Sequence, residues 1–275
     1  MNQLEYFINS TFKENIKSRI SIEKTEGEFS EYPSNLNSDL KNALLKQGIT
    51  QLYSHQAKAF ESISTNLDTL LVSHTASGKT LSFFLPILNE YINSPSPFSV
   101  LLLYPTKALS RDQESTFGAL MDVVEKSGRL GTFDGDTPQD ERTRIQRSSD
   151  FIITNPDMLH GGILPNHNRR WKDYLSRLRY IVIDEVHIYR GAFGSHVANV
   201  FRRLLRVCAI HGSQPCFVCS SATVGNPGDH VKALFNRKFS LIEKDGAPKP
   251  ERSIYFMNPS LAQSNGHALY RKGPA

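Results

Sequence analysis

The sequence contains no run approaching the roughly 18 consecutive apolar residues that a membrane span requires. Its first residues, Met1 to Tyr6, lack the charged-then-apolar pattern of a secretory signal. Cysteine is scarce: three in 275 residues, an odd number, which argues against a disulfide framework and fits a reducing compartment. These absences predict a soluble intracellular protein, cytoplasmic and, in a bacterium, nucleoid-associated. An excess of one charge is also missing. The net charge of +5 suits a polyanionic partner but does not demonstrate one. Apolar residues are plentiful, at 39%, enough for one large α/β domain with its own core.

The most informative stretch begins at Leu70. The apolar run Leu70-Leu71-Val72 gives way to Ser73-His74-Thr75-Ala76-Ser77, then Gly78-Lys79-Thr80, then a helical pattern from Leu81 to Tyr91. This reads as strand, phosphate loop and helix. Small residues let backbone N–H groups turn inward around phosphate oxygens, and the helix start adds the positive end of its dipole. Lys79 would reach the β- and γ-phosphates of ATP, and the Thr80 hydroxyl would ligate Mg²⁺. The pattern G-x-x-x-x-G-K-[ST] departs at its first position, which is Ser73.

A second stretch strengthens the first. Arg179-Tyr180-Ile181-Val182-Ile183 is an apolar strand that delivers Asp184 and Glu185 to a sheet edge, followed by Val186-His187. Adjacent strand residues point to opposite faces, so the pair can divide the work. Asp184 can hold Mg²⁺, and Glu185 can orient and deprotonate an attacking water. An apolar strand ending in Asp-Glu-x-His, downstream of a phosphate loop, is far more specific than either piece alone.

Other candidates lie on the loops that follow strands. Tyr53-Ser54-His55-Gln56 opens a helix running to about Ser64. The Gln56 amide matches the donor–acceptor edge of adenine, and Tyr53 offers a stacking surface. Ser99 to Tyr104 reads as a buried parallel strand leading to Thr106 and Lys107. Asp150 to Ile153 is another strand, leading to Thr154 and Asn155. Two such loops on one sheet edge would form a track for a phosphate backbone. Residues 160–170 read as a surface loop rich in Gly, Pro, Asn and His. The helix from Tyr189 to Val207 carries Arg202, Arg203 and Arg206. Cys208, His211, Cys216 and Cys219 have a zinc-like spacing. That reading is set aside because Cys216 and Cys219 fall on opposite faces of one strand.

In this order the pieces resemble the first RecA-like motor domain of a superfamily 2 DExH-box helicase. Tyr53 to Gln56 resembles the Q-motif, Ser73 to Thr80 motif I and Pro105 to Leu109 motif Ia. Thr154 to Asp157 resembles motif Ib, Asp184 to His187 motif II, and Ser221-Ala222-Thr223 motif III. Within the superfamily the closest resemblance is to DNA helicases of the mitomycin-repair-factor (MrfA) type, related to the RecQ-like Hrq group. It is carried by Thr75 to Thr80, Phe133-Asp134-Gly135-Asp136-Thr137-Pro138, Tyr189-Arg190-Gly191 and Asp245-Gly246-Ala247-Pro248.

The resemblance implies ATP-driven 3′ to 5′ translocation on DNA, in repair. The implied nucleotide contacts are Tyr53, Gln56, Thr75, Ala76, Ser77, Gly78, Lys79 and Thr80. Thr80 and Asp184 hold Mg²⁺, and Lys79, Asp184 and Glu185 are catalytic. Thr106, Lys107, Thr154 and Asn155 contact the single strand, while His187, Ser221 and Thr223 couple nucleotide state to that grip. The expected fold is a three-layer RecA-like P-loop NTPase domain with a mainly parallel sheet. It spans residues 49–245, after an N-terminal helical extension (1–48) and before a linker (246–275). A second RecA-like domain, in cis or in trans, would complete the ATP cleft, so the chain alone is expected to hydrolyse ATP weakly or not at all. The alternatives are a nucleotide-gated binding module without turnover and a fragment of an RNA helicase.

Overall fold

The structure is a computed structural model that describes residues 3–74, 77–106, 121, 129–258, 261–264 and 267–271. The chain forms two compact units, residues 28–247 and a smaller unit of residues 1–27 with 248–275. In chain order the strands are β1 (Ile16–Ile22), β2 (Phe29–Ser30), β3 (Leu52–Tyr53), β4 (Thr69–Val72), β5 (Ser99–Leu103) and β6 (Arg129–Thr132). They continue with β7 (Ser149–Thr154), β8 (Leu178–Ile183), β9 (Cys216–Ser221), β10 (Ser240–Ile242), β11 (Arg252–Met257), β12 (Leu261–Ser264) and β13 (His267–Arg271). The helices used below are α1 (Gln3–Thr11), α2 (Ser38–Lys46), α3 (Ser54–Ser64), α4 (Lys79–Asn93), α5 (Gln139–Ser148), α6 (Gly191–Ile210) and α7 (Pro227–Phe235).

The larger unit is built on a seven-stranded sheet in the order β10-β4-β9-β8-β5-β7-β6, with every neighbouring pair parallel. Parallel neighbours need a crossover, and the intervening helices cover both faces. The strand sequences show this directly. Leu101, Leu103, Ile181, Ile183, Phe217 and Cys219 belong to the core under α6 and α7, whereas Val100, Leu102, Tyr180, Val182, Cys216 and Val218 belong to the core under α2, α3 and α4. The expected three-layer α/β fold is therefore present, and Cys216 and Cys219 lie in opposite layers. Among the described residues, no helix is long and apolar enough to cross a membrane.

Some local expectations shift. The helix over 38–46 is capped by Asn37, whose side chain accepts from the Asp39 N–H. The stretch 1–48 contains α1 and α2 but also β1, which pairs antiparallel with β11 in the smaller unit. Residues 160–170 are not an open loop. A π-turn over Leu159–Ile163 and a 3₁₀ turn over Leu164–Asn166 bury Leu159, Ile163 and Leu164. They pack near Trp171, which is fully buried and meets Phe133 edge-on at 5.0 Å and Tyr174 at 5.7 Å. The Gly and Asn residues conceal an apolar set whose core includes Phe133, just after β6, and residues of α6.

Truncating Trp171 to Ala should therefore lower the unfolding free energy by about 3–5 kcal/mol. A urea titration showing a loss below about 1 kcal/mol would contradict this packing.

Candidate functional site

Among the described residues, Ser73, Lys79, Asp184, Glu185 and Ser221 gather at the C-terminal edge of the parallel sheet. β4 runs directly into the loop that ends at Gly78, where α4 begins. Gly78 adopts φ +77°, and a Cβ there would stand 2.6 Å from Nε2 of Gln56, so both conformation and space call for glycine. Ser73, at the place of the pattern's first glycine, is buried and shares a 2.8 Å hydrogen bond with the Ser77 hydroxyl across the loop. Its N–H donates to the Ser221 carbonyl at 3.2 Å, which fastens the loop's start to the end of β9. Thr75, Ala76 and Lys107 lie outside the described residues.

Lys79, at the first position of α4, places Nζ 3.4 Å from Glu185 Oε1 and 3.5 Å from the Ser73 carbonyl. β8 ends at Ile183, so Asp184 and Glu185 stand just beyond the strand. The division between the two carboxylates comes from backbone twist and not from strand alternation, because Glu185 sits at φ +52° in the left-handed region. A non-glycine residue held there costs on the order of 1–3 kcal/mol and marks a functional constraint. Asp184 is 8% exposed, and its Oδ1 accepts from the Ser220 hydroxyl and, at 2.9 Å, from the Glu185 N–H. Burial raises its pKa above the ordinary carboxylate value, against the pull of the Ser220 hydroxyl.

His187 bridges this loop to the end of β9. Burial lowers its pKa, opposed by Glu185. Its Nδ1 accepts the Ala222 N–H at 3.2 Å, while Glu185 Oε2 approaches the same atom at 3.1 Å. Of its predicted companions, Ser221 is buried with its hydroxyl on the Ala222 carbonyl, and Thr223 is exposed.

Gln56 is 5% exposed and already joins two elements. Its Oε1 accepts the Tyr53 N–H at 2.9 Å, and Nε2 donates to the Gly78 carbonyl at 3.2 Å. Tyr53 stacks on His55 at 5.8 Å and tilts against Phe29 at 5.4 Å. On the neighbouring strands, Thr106 is exposed beyond β5, and Asn155 follows β7 with Oδ1 accepting the Met158 N–H. Thr154 is turned inward. It is 1% exposed and its hydroxyl donates to the Phe133 carbonyl at 2.6 Å, so its side chain does not face the edge beside Thr106 and Asn155. Arg203 and Arg206 line a groove of about 410 Å³ with Pro156, His160 and the exposed Phe193. Arg202 lines a different groove.

A loop, a lysine and two carboxylates meet on one parallel edge, groups suited to phosphate and a divalent cation. The model of the DEAD/DEAH box helicase family matches residues 53–230. This chain belongs to that family. It is 41% identical over 248 residues to the uncharacterized ATP-dependent helicase YprA of Bacillus subtilis, covering 90% of this chain and 33% of the relative. It is 38% identical to the ATP-dependent helicase HRQ1 of Saccharomyces cerevisiae, over 76% of this chain and 20% of that one. The crystal structure of the DUF1998 helicase MrfA bound to DNA and AMPPNP superposes with a TM-score of 0.89 at 39% identity, covering 95% of this chain and 37% of MrfA. These relatives place the chain in the MrfA/Hrq-like group of helicases. The chain spans about a third of YprA's length.

Two residues of this helicase domain make contacts that the sequence does not reveal: Ser220, and the Asp245 that opens the resemblance-bearing run Asp245 to Pro248. Ser220 lies one position before the recognised triplet, and only the placement of β9 between β4 and β8 reveals that it faces Asp184. Asp245 bonds to the phosphate loop from 171 residues away, a distance no local pattern encodes.

The raised pKa of Asp184 has a thermodynamic consequence. A carboxyl whose pKa rises on folding holds its proton more tightly in the folded chain. Stability therefore declines as pH climbs from the ordinary carboxylate range to the raised value, and is level above it. Asp184→Asn removes that cost. The variant should be more stable than wild type by on the order of 1 kcal/mol at pH 7 in the absence of divalent cations, with a smaller gain at pH 4. Chemical denaturation in EDTA showing a less stable variant at pH 7 would refute this.

Proposed function

We propose that this domain is the ATP-binding half of an ATP-dependent DNA helicase or translocase. The observation that carries the proposal is the approach of Lys79 and Glu185 to 3.4 Å, with buried Asp184 beside them, at the mouth of a phosphate loop. Lys79 would bind the β- and γ-phosphates, assisted by the backbone of Thr75, Ala76, Ser77 and Gly78. Gln56 keeps one unused lone pair and one unused N–H after its two internal bonds, which leaves it able to meet an adenine edge beside Tyr53. Glu185 would orient the attacking water and accept its proton.

The donor set suits Mg²⁺. Thr80 and Asp184 offer hard oxygens, and a carboxylate made costly by burial gains from a cation. Thr80 and Asp184 would hold the ion, which supplies neutralisation of phosphate charge when bound. On the strand edge, Thr106, Lys107 and Asn155 would contact a nucleic-acid backbone. Thr154, at the end of β7, instead ties inward to the Phe133 carbonyl. His187, Ser221 and Thr223 would relay nucleotide state, with the Ala222 N–H on His187 as the physical link. The structure of MrfA bound to DNA supports DNA as the substrate of this chain, for which we propose 3′ to 5′ movement in repair. We assign the remaining catalytic charge, an arginine finger worth about 10³–10⁵ in related hydrolases, to a second RecA-like domain.

ATP turnover by the purified chain, with and without single-stranded DNA and against Glu185→Gln, tests this. Binding of ATP with turnover well below the roughly 10 s⁻¹ typical of enzymes, and lower still in Glu185→Gln, is expected. DNA oligomers should outcompete RNA of equal length. Fast DNA-stimulated turnover would overturn the assignment of a completing domain, and preference for RNA would replace the substrate.

A further inference from the structure

The phosphate loop is gripped from outside by a segment far along the chain. Both the N–H and Nδ1 of His74 lie 3.1 Å from Oδ2 of Asp245. The other oxygen of Asp245 accepts the Ala247 N–H at 3.0 Å and stands 3.7 Å from Nδ1 of His55. His55 is 1% exposed in the first turn of α3, and its Nδ1 accepts the Gly246 N–H at 3.1 Å. Burial lowers the His55 pKa, opposed by the Asp245 carboxylate and by the backbone of Ser77 in the phosphate loop. The Gly246 carbonyl accepts from Glu28 N–H at 2.8 Å, and the Glu28 carbonyl from Ser54 N–H at 2.8 Å. A Cβ on Gly246 would stand 2.3 Å from the Ser54 hydroxyl oxygen, so the segment is laced in with no room to spare.

Asp245 is the centre of this lacing. Its side chain is only 5% exposed. Burial alone would raise its pKa, but the hydrogen bonds from Ala247 and His74 prevail and lower it. A carboxylate buried this far persists where donors converge on it. It holds the second amide of the loop, at His74, just after the Ser73 N–H that donates to the Ser221 carbonyl. His55 meets the same segment from beneath, its Nδ1 accepting the Gly246 N–H and standing 3.7 Å from Asp245 Oδ1.

We propose that Asp245 is a positioning residue of the nucleotide site, acting through His74 on the conformation of the phosphate loop. It rests on the nucleotide reading above. Because coupling is reciprocal, nucleotide at the loop tightens residues 245–247 to the same degree that they tighten nucleotide.

The test is nucleotide affinity of the whole chain, read with a fluorescent ATP analogue and Mg²⁺, alongside hydrogen exchange at the Gly246 and Ala247 amides. In the wild type, nucleotide should slow exchange at both amides. Asp245→Asn should weaken binding about tenfold. His74→Ala should weaken it at least about threefold. Both variants should lose the nucleotide-dependent slowing, which a purely structural role of Asp245 would not alter. Lys79→Ala is the control on the site. Wild-type affinity in Lys79→Ala would overturn the phosphate-loop reading and this proposal with it. Loss of binding in Lys79→Ala, with wild-type affinity in both Asp245→Asn and His74→Ala, would leave the site standing and overturn the positioning role. Should Asp245→Asn fail to fold, His74→Ala decides alone, since its side chain is 46% exposed and removes one arm of the contact.

Discussion

Everything in the larger unit follows from burying a parallel sheet on both faces. Strands covered on two sides are apolar through their middles; Arg129, Asp150 and Arg179 sit in the first two positions of β6, β7 and β8, and the polar chemistry of the site collects where the strands end. Because all seven run the same way, those ends share one edge. Ile183, Val72, Ser221, Leu103 and Thr154 are the last residues of five of these strands, and the residues that follow them make up the site. The order of strands does the rest. β9 lies between the phosphate-loop strand and the carboxylate strand. Ser220, Ser221 and Ala222 are thereby set to touch Asp184, Ser73 and His187 respectively.

The site is held in tension. Asp184 is buried enough that its charge is unfavourable, and Glu185 occupies a backbone conformation that favours glycine. Neither is what stability alone would select. Both make sense if a cation and a polyphosphate recover the cost when they bind. Gln56 shows a parallel economy, since its amide holds α3 to Gly78 while retaining capacity for a base edge.

The legible part of the sequence was the part written locally. Strand–loop–helix at Leu70 to Tyr91 and the apolar strand before Asp184 each carry their meaning within a dozen residues, and the three-layer fold follows from their alternation. What was hidden depends on long-range placement. Thr154 shares a pattern with Thr106, yet β6 lies beside β7 and leads into Phe133, whose carbonyl draws its hydroxyl inward. Residues 160–170 have the composition of a loop, but Leu159, Ile163 and Leu164 fit a core whose other members come from distant elements. Ser220 and Asp245 gain their roles only from neighbours 36 and 171 positions away.

The most direct measurement is a crystal structure of the chain grown with AMPPNP and Mn²⁺, located by its anomalous scattering. The account predicts a metal peak coordinated by Thr80 and Asp184, with phosphates over Lys79 and the adenine edge against Gln56. A nucleotide bound elsewhere, or a metal peak away from Asp184, would contradict it.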